Sequence, residues 1–173
     1  MLSPQAIADR IGEQFASSVI TRFVDAGEKH PRVHIDASTW RDLAQFLKAD
    51  PALSFDWLAC LGGVDYPADG KLAIVIDLWS FTHRHTFAIK VFCDRTAPVI
   101  PSVTDIWKAA GWHEREAYDL FGIQFTGHPD LRRLLLADDW EGHPLRKDYV
   151  FPAEVNGIPA TAQLEWQARR PTA

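Results

Sequence analysis

Residues 54–93 read SFDWLACLGGVDYPADGKLAIVIDLWSFTHRHTFAIKVFC, a run of alternating apolar and polar positions. A period of two puts every second side chain on one face of an extended chain. Leu72, Ile74, Ile76 and Leu78 therefore share one face, as do Phe87, Ile89, Val91 and Cys93 in the next segment. Asp69-Gly70 falls between two such segments and is the strongest hairpin signal in the chain, because a tight hairpin turn favours residues that tolerate positive φ. Three strands are expected here, over Leu53–Asp65, Leu72–Phe81 and Thr86–Cys93.

Upstream the period changes to that of a helix. Ser3 precedes Pro4, which lacks the amide proton that a first helical residue cannot use, and Leu2 can pack on Ile7. Ile7, Ile11 and Phe15 then form one apolar stripe. Two β-branched runs, Ser18–Asp25 and Arg32–Asp36, flank a turn-rich connection at Ala26–Pro31 and suggest a hairpin. A second helix is expected over Thr39–Ala49, with Trp40, Leu43, Phe46 and Leu47 on its buried side and Pro51 beyond its end. The order helix, two strands, helix, three strands predicts an α+β fold: a two-layer sandwich of helices on a mixed or antiparallel five-stranded sheet.

Downstream the patterns weaken. Asp94–Pro101 reads as a linker, and Ser102 with Asp105 resembles a capping box that starts a short helix through Ile106 and Trp107, ended by Gly111. Glu114–Phe121 is expected to add another turn or two, with Arg115 and Asp119 spaced as an exposed i, i+4 pair worth only about 0.3 to 0.5 kcal/mol. After Gly122 only Leu131–Ala137, capped by Asp130, reads as a short helix. The chain accordingly divides into a core domain over residues 1–121 and an extended C-terminal docking arm over 122–173. Ordering a residue's backbone costs roughly 1 to 2 kcal/mol, so such an arm needs a surface to bury against. Trp140, Tyr149, Phe151, Leu164 and Trp166 are the anchors expected to sink into a partner.

Bulk properties narrow the function. A net charge of −5 argues against nucleic-acid binding, which needs a basic face to displace counterions. Cys60 and Cys93 have no CxxC spacing, so no disulfide framework, iron–sulfur site or structural zinc is suggested. The N-terminus lacks the basic and apolar regions of a signal peptide, and no run approaches 18 apolar residues, so membrane contact is expected only through partners.

Chemistry-bearing residues concentrate between Glu114 and Tyr149. The stretch opens on Glu114-Arg115-Glu116 and twice presents a Gly-His-Pro corner followed by leucine and basic residues. The first corner is Gly127-His128-Pro129 before Leu131-Arg132-Arg133; the second is Gly142-His143-Pro144 before Leu145-Arg146-Lys147. Histidines here, and at His83 and His85, are read as turn residues bonded to backbone carbonyls or paired with a carboxylate rather than as metal ligands, which would have to converge in threes or fours. Asp65–Gly70 has the glycine of a calcium loop, but its twelfth position is Ile76, and Gly62-Gly63 leads into a strand rather than a helix. Glu114 and Glu116 are read as parts of an ion-pair network with Arg115, Arg132, Arg133 or Arg146, or as contacts between subunits, ahead of an acid/base pair. Trp107 and Trp112, beside the motif, are expected at an interface.

The motif resembles that of the 30 kDa-type subunit, called the C-type subunit in bacteria, of proton-pumping NADH:quinone oxidoreductase, respiratory complex I. The matching pattern is Glu114-Arg115-Glu116, Asp119, Leu120-Phe121, His128, Arg132 and Leu134-Leu135, and the tract Asp139–Tyr149 is similar to the family's second signature. The resemblance implies the same α+β arrangement in a cofactor-free, non-catalytic subunit of the peripheral arm. NAD, FMN, iron–sulfur clusters and quinone would reside on partner subunits. It also implies docking on the 49 kDa-type (D-type) subunit beside the B-type iron–sulfur subunit, on the cytoplasmic side of the bacterial inner membrane. The residues marked for partner contact are the motif's Glu114, Arg115, Glu116, Asp119, Leu120, Phe121, His128, Arg132 and Arg133, with Trp140, His143, Pro144, Arg146, Lys147, Asp148 and Tyr149. The alternatives are the equivalent subunit of a membrane-bound hydrogenase or other non-NADH dehydrogenase, and a free-standing enzyme using the His/Glu/Arg cluster.

Overall fold

The alternation that defines residues 54–93 builds the centre of the molecule, seen in a computed structural model that describes residues 2–16, 19–23, 31–155 and 157–159. Strand β4 (Lys71–Ser80) pairs antiparallel with β5 (His85–Asp94) from Lys71↔Asp94 to Ser80↔His85. Strand β3 (Trp57–Tyr66) lies antiparallel on the other side of β4. The turn between β3 and β4 is a short 3-10 segment, Pro67–Asp69, closed by Gly70 at φ 62°. Strand β2 (Arg32–Asp36) runs parallel to β5, and β1 (Val19–Phe23) antiparallel to β2, giving the order β1-β2-β5-β4-β3. The sheet is thus mixed and five-stranded. The connection expected between β1 and β2, Ala26–Pro31, lies outside the described residues except for Pro31, as do Leu164 and Trp166.

Helix α1 (Pro4–Gln14) starts where the sequence places it: the Ser3 side chain accepts a hydrogen bond from the Ala6 amide, and Ile7, Ala8 and Ile11 are buried. Helix α2 (Ala37–Ala49) buries Trp40, Leu43, Ala44 and Leu47, while Phe46 is half-buried against Phe15. Both helices meet the face carrying Leu72, Ile74, Ile76, Leu78, Ile89 and Val91, all buried. Each such side chain removed from water contributes roughly 1.5 to 3 kcal/mol, which offsets the cost of ordering the chain.

The region after β5 departs from expectation. Within the presumed linker, β6 (Val99–Pro101) pairs in parallel with β7 (Gln124–Thr126), with Pro101 at the strand's end. Residues 102–109 form turns instead of a helix, although the Ser102 hydroxyl does accept the Thr104 amide at 3.3 Å while donating to Glu114. Gly111 does not end a helix: it lies in the first turn of α3 (Ala110–Phe121), which takes in the whole Glu114–Phe121 segment. Helix α3 packs over β3, and the ring of Phe121 rests on Gly63, where an added Cβ would come within 2.4 Å of it. Leu131–Ala137 is bent rather than helical, since the amides that a helix would use point at Asp119. Beyond α3, Ile123 and Phe125 are buried in the main core, and a last small ladder pairs β8 (Glu154–Val155) with β9 (Ile158–Pro159).

Candidate functional site

Helix α3 carries three charged side chains on its buried side, and each is held by a different piece of chain. Glu114 is fully buried: one oxygen accepts from the Val103 amide at 2.9 Å and the other meets the Ser102 hydroxyl at 2.6 Å. Burial raises its pKa to about 7, against the lowering effect of those two hydrogen bonds. Its partners are therefore neutral, not the arginines expected from the sequence. Glu116, two residues on, faces solvent.

Arg115 and Asp119 do not pair with each other. The Arg115 guanidinium donates to the carbonyls of Arg132 and Arg133 at 3.1 and 2.9 Å and lies 5.1 Å from the ring of Trp112. Asp119 is fully buried, and one of its oxygens accepts the amides of Leu134, Leu135 and Leu136 at 3.0, 2.7 and 2.9 Å. The other oxygen accepts from Arg133 at 2.9 Å. Burial alone would raise this carboxyl, but the three amides and Arg133 together outweigh it and hold Asp119 below the usual carboxylate range. An i, i+4 spacing permits a pair, and here the backbone of residues 132–136 takes both side chains instead.

The two Gly-His-Pro corners grip opposite ends of α3. His128 Nε2 lies 3.1 Å from the Gly111 carbonyl while its Nδ1 accepts from the Asp130 amide, which fixes the proton on Nε2. At the other end His143 Nδ1 meets the Asp119 carbonyl at 2.9 Å, the Leu145 amide donates to the Leu120 carbonyl at 3.1 Å, and Arg146 donates to the Phe121 carbonyl at 2.8 Å. Those are three of the carbonyls that a helix C-terminus leaves without partners, and a cation beside them also suits the helix dipole. Gly122 ends the helix at φ 77°, and a Cβ there would stand 2.5 Å from His143 Nε2.

The remaining candidates distribute as follows. Arg133 also donates to the Trp140 carbonyl at 2.8 Å, and Tyr149 donates to the Glu141 carbonyl at 3.0 Å. Arg132, 72% exposed, pairs among the described residues with exposed Asp130 alone, so the two adjacent arginines differ in kind. Leu120 and Pro144 are half-buried, Lys147 and Asp148 exposed. Trp112 is 64% exposed, whereas Trp107 is buried, donates its indole N–H to the Phe55 carbonyl at 2.8 Å and stacks on Trp40. His83 and His85 each face a backbone carbonyl, of Pro51 and Leu53, and among the described residues no three His, Cys, Asp or Glu side chains converge as metal ligands.

Sequence reading missed Asp65 and Arg95. Buried Asp65 takes a two-pronged bond from Arg95 at 2.8 and 3.0 Å and accepts the Lys147 amide at 2.8 Å, while Arg95 reaches on to Asp148 at 2.6 Å. The Arg95 bond, with help from the Lys147 amide, holds Asp65 below the usual range against the pull of burial. The one signal available was an acid at the end of an apolar strand, and nothing local names its partner 30 residues away.

The family model for the 30 kDa subunit of respiratory-chain NADH dehydrogenase matches residues 33–155. The C-type subunit of NADH-quinone oxidoreductase from Chlorobium phaeobacteroides is 48% identical over 158 residues, covering 89% of this chain and 94% of that protein. The same-named protein of Chloroherpeton thalassium is 52% identical over 126 residues, 72% of this chain and 51% of that longer protein. Among solved structures, the trypsin-resistant fragment (1–134) of Nqo5 superposes with a TM-score of 0.61 at 28% identity, covering 75% of this chain and all of the fragment. A chain from the membrane-bound sulfane sulfur reductase, an archaeal respiratory membrane complex, shares the fold with a TM-score of 0.69 at 23% identity, over 97% of this chain and 92% of that one.

Proposed function

We propose, from the premise that this chain belongs to the family of the 30 kDa subunit of respiratory-chain NADH dehydrogenase, that it is a cofactor-free docking subunit of the peripheral arm of complex I. In this reading it seats on the 49 kDa-type (D-type) subunit beside the B-type iron–sulfur subunit, on the cytoplasmic side of the membrane, and holds no electron carrier itself. Among the described residues no helix is long and apolar enough to cross a membrane.

The observation that carries this reading is how the motif's charges are used. Glu114 is bonded to residues 102 and 103, Arg115 and Asp119 to the backbone of residues 132–136, and Arg133 and Arg146 reach back to α3, so the motif's charges shape the chain's own loops around that helix. On and just after the loop that follows α3, Leu135, Leu145, Val150 and Phe151 are exposed, at 49% or more. Exposed apolar side chains beside a loop bonded back to the body are suited to an interface, where large apolar anchors supply most of the binding energy.

The test is co-purification of the D-type subunit with this chain from native membranes. Replacing Leu145 and Phe151 together by Asp should lower recovery of that subunit while the free chain's melting temperature stays within a few degrees. Recovery equal to wild type would overturn this assignment of the surface, and a tightly bound flavin or iron–sulfur cluster in the pure chain would overturn the cofactor-free reading.

A further inference from the structure

Beyond the loop that grips α3 the chain encloses a cleft of about 520 Å³, walled by Asp139, Trp140, Glu141, Tyr149, Val150 and Glu154. Its two sides are fixed by bonds to the rest of the chain. The Trp140 carbonyl accepts at 2.8 Å from Arg133, whose other terminal nitrogen holds Asp119, and the Tyr149 hydroxyl donates to the Glu141 carbonyl at 3.0 Å. The Tyr149 ring lies against Gly142, where an added Cβ would come within 2.9 Å of it, and stands edge-on to the Phe151 ring at 5.1 Å. The cleft is therefore part of the folded loop, present before anything enters it.

Its charges are one-sided. Asp139, Glu141 and Glu154 border it, their carboxylates have no hydrogen bond or ion pair among the described residues, and no Lys, Arg or His is among its described lining residues. Between the acids stand the half-buried Trp140 and Tyr149. The three carboxylates do not converge as a group that could hold a metal ion. Acids set beside aromatic rings suit a guanidinium, which bonds carboxylates through its planar edge and stacks on a ring through its face.

The chain itself brings two guanidiniums to this place. Strands β8 and β9 pair Glu154 with Pro159, so the main chain returns to the acidic border of the cleft as it leaves β9. Residues 160–173, outside the described residues, read ATAQLEWQARRPTA, with Arg169 and Arg170 as their basic side chains and Glu165 as their one acid. Residues 160–168 span up to about 30 Å when extended, enough to run out and turn back. A tether that short holds its end at an effective concentration on the order of millimolar, which offsets the weakness of single ion pairs at an exposed surface. A segment of another molecule has no such tether.

We propose that the cleft is the seat of this chain's own C-terminal tail, with Arg169 and Arg170 on the carboxylates of Asp139, Glu141 and Glu154 and against the Trp140 and Tyr149 rings. Residues 160–168 then form a closed loop instead of a free end, and Leu164 and Trp166 are carried on it beside exposed Val150 and Phe151. The closure belongs to this chain alone and does not depend on which subunit the chain meets.

The test places a photo-crosslinking amino acid at Val150, 85% exposed on the rim of the cleft, in the purified full chain and in its assembled complex. Irradiation should join it to a peptide from residues 160–173 of the same molecule, with no mixed-mass product when an isotope-labelled copy is added. Arg169→Glu with Arg170→Glu should cut the yield about tenfold, the loss expected of two or three exposed pairs. Adding Asp139→Lys and Glu141→Lys to that variant should restore the link. Both acids are exposed, so the variants should melt like wild type; if the lysine variants do not, the arginine reversal alone still decides. A yield unchanged by that reversal, a link between two copies, or a link from Val150 to another subunit in place of the tail would overturn the proposal. Failure of the D-type subunit to co-purify would instead count against the function proposed above.

Discussion

Glu114 and Asp119 are both fully buried on one helix, yet their surroundings move their proton equilibria in opposite directions. Glu114 has two neutral hydrogen bonds, too few to offset desolvation; Asp119 has three amides and an arginine, enough to reverse it. Because the folded state raises Glu114 from an ordinary 4.5 to about 7, it binds the proton more tightly than the unfolded chain does. Its stabilisation is therefore full below pH 4.5 and lost as pH rises to about 7, a loss on the order of 3 kcal/mol. Glu114→Gln, which can still accept from Val103 and donate to Ser102, should flatten urea-unfolding stability across that window. Asp119 has the opposite sign: its contribution is present above pH 3.8 and lost as pH falls further. Arg133, its counter-ion, should cost about 3 to 5 kcal/mol when cut to Ala, against under about 1 kcal/mol for exposed Arg132, measured by denaturant unfolding at pH 7.

At the scale of elements, α3 shows how a helix can be held by a loop that follows it. Its last carbonyls are met by His143, the Leu145 amide and Arg146, and Gly122 must be glycine both for its φ of 77° and for the room His143 occupies. Gly122→Ala should cost at least about 1 to 2 kcal/mol from the left-handed backbone alone. His143→Ala, which leaves the Asp119 carbonyl without its donor, should cost about 1 to 3 kcal/mol. Since alanine at 122 displaces the His143 ring, the double variant should cost less than the sum of the two. Strictly additive losses in a double-mutant cycle would show that the glycine and the histidine act independently.

For the whole molecule, the stretch after α3 is bonded back to the body at several separate places. Ile123 and Phe125 fill the core, residues 134–136 enclose Asp119, and Lys147 and Asp148 join the Asp65–Arg95 pair. A chain ending after Val150 keeps all of these, and should melt cooperatively within a few degrees of the full chain by circular dichroism. A chain ending after Gly122 loses two buried side chains and leaves Asp119 and Asp65 short of partners. At a cost of several kcal/mol per uncompensated buried charge, against a typical total of about 5 to 15, it should unfold at a much lower temperature. An unchanged melt for the shorter chain would show that residues 123–149 only rest on a core complete without them.

The repeating apolar positions determined much of this by themselves: Ile7 and Ile11 on α1, Trp40, Leu43 and Leu47 on α2, and alternate residues of β4 and β5 are buried as their spacing requires. A period is a local property, readable wherever one face of an element is covered by a continuous core. The motif around Glu114 could also be read as a set of residues, with its histidines as hydrogen-bonding turn residues, though not which of carbonyl or carboxylate they meet. What the tertiary structure alone decided is which group each charge meets. Glu114 faces Ser102 instead of an arginine, Asp119 faces amides 15 to 17 residues away, and Asp65 faces Arg95 across 30 residues. The helix expected at Leu131–Ala137 failed for the same reason, since a buried carboxylate in need of donors outweighed the weak helical preference of that short stretch. A buried charge takes whichever donor the folded chain brings within 3 Å, and that distance is set by packing and not by sequence separation.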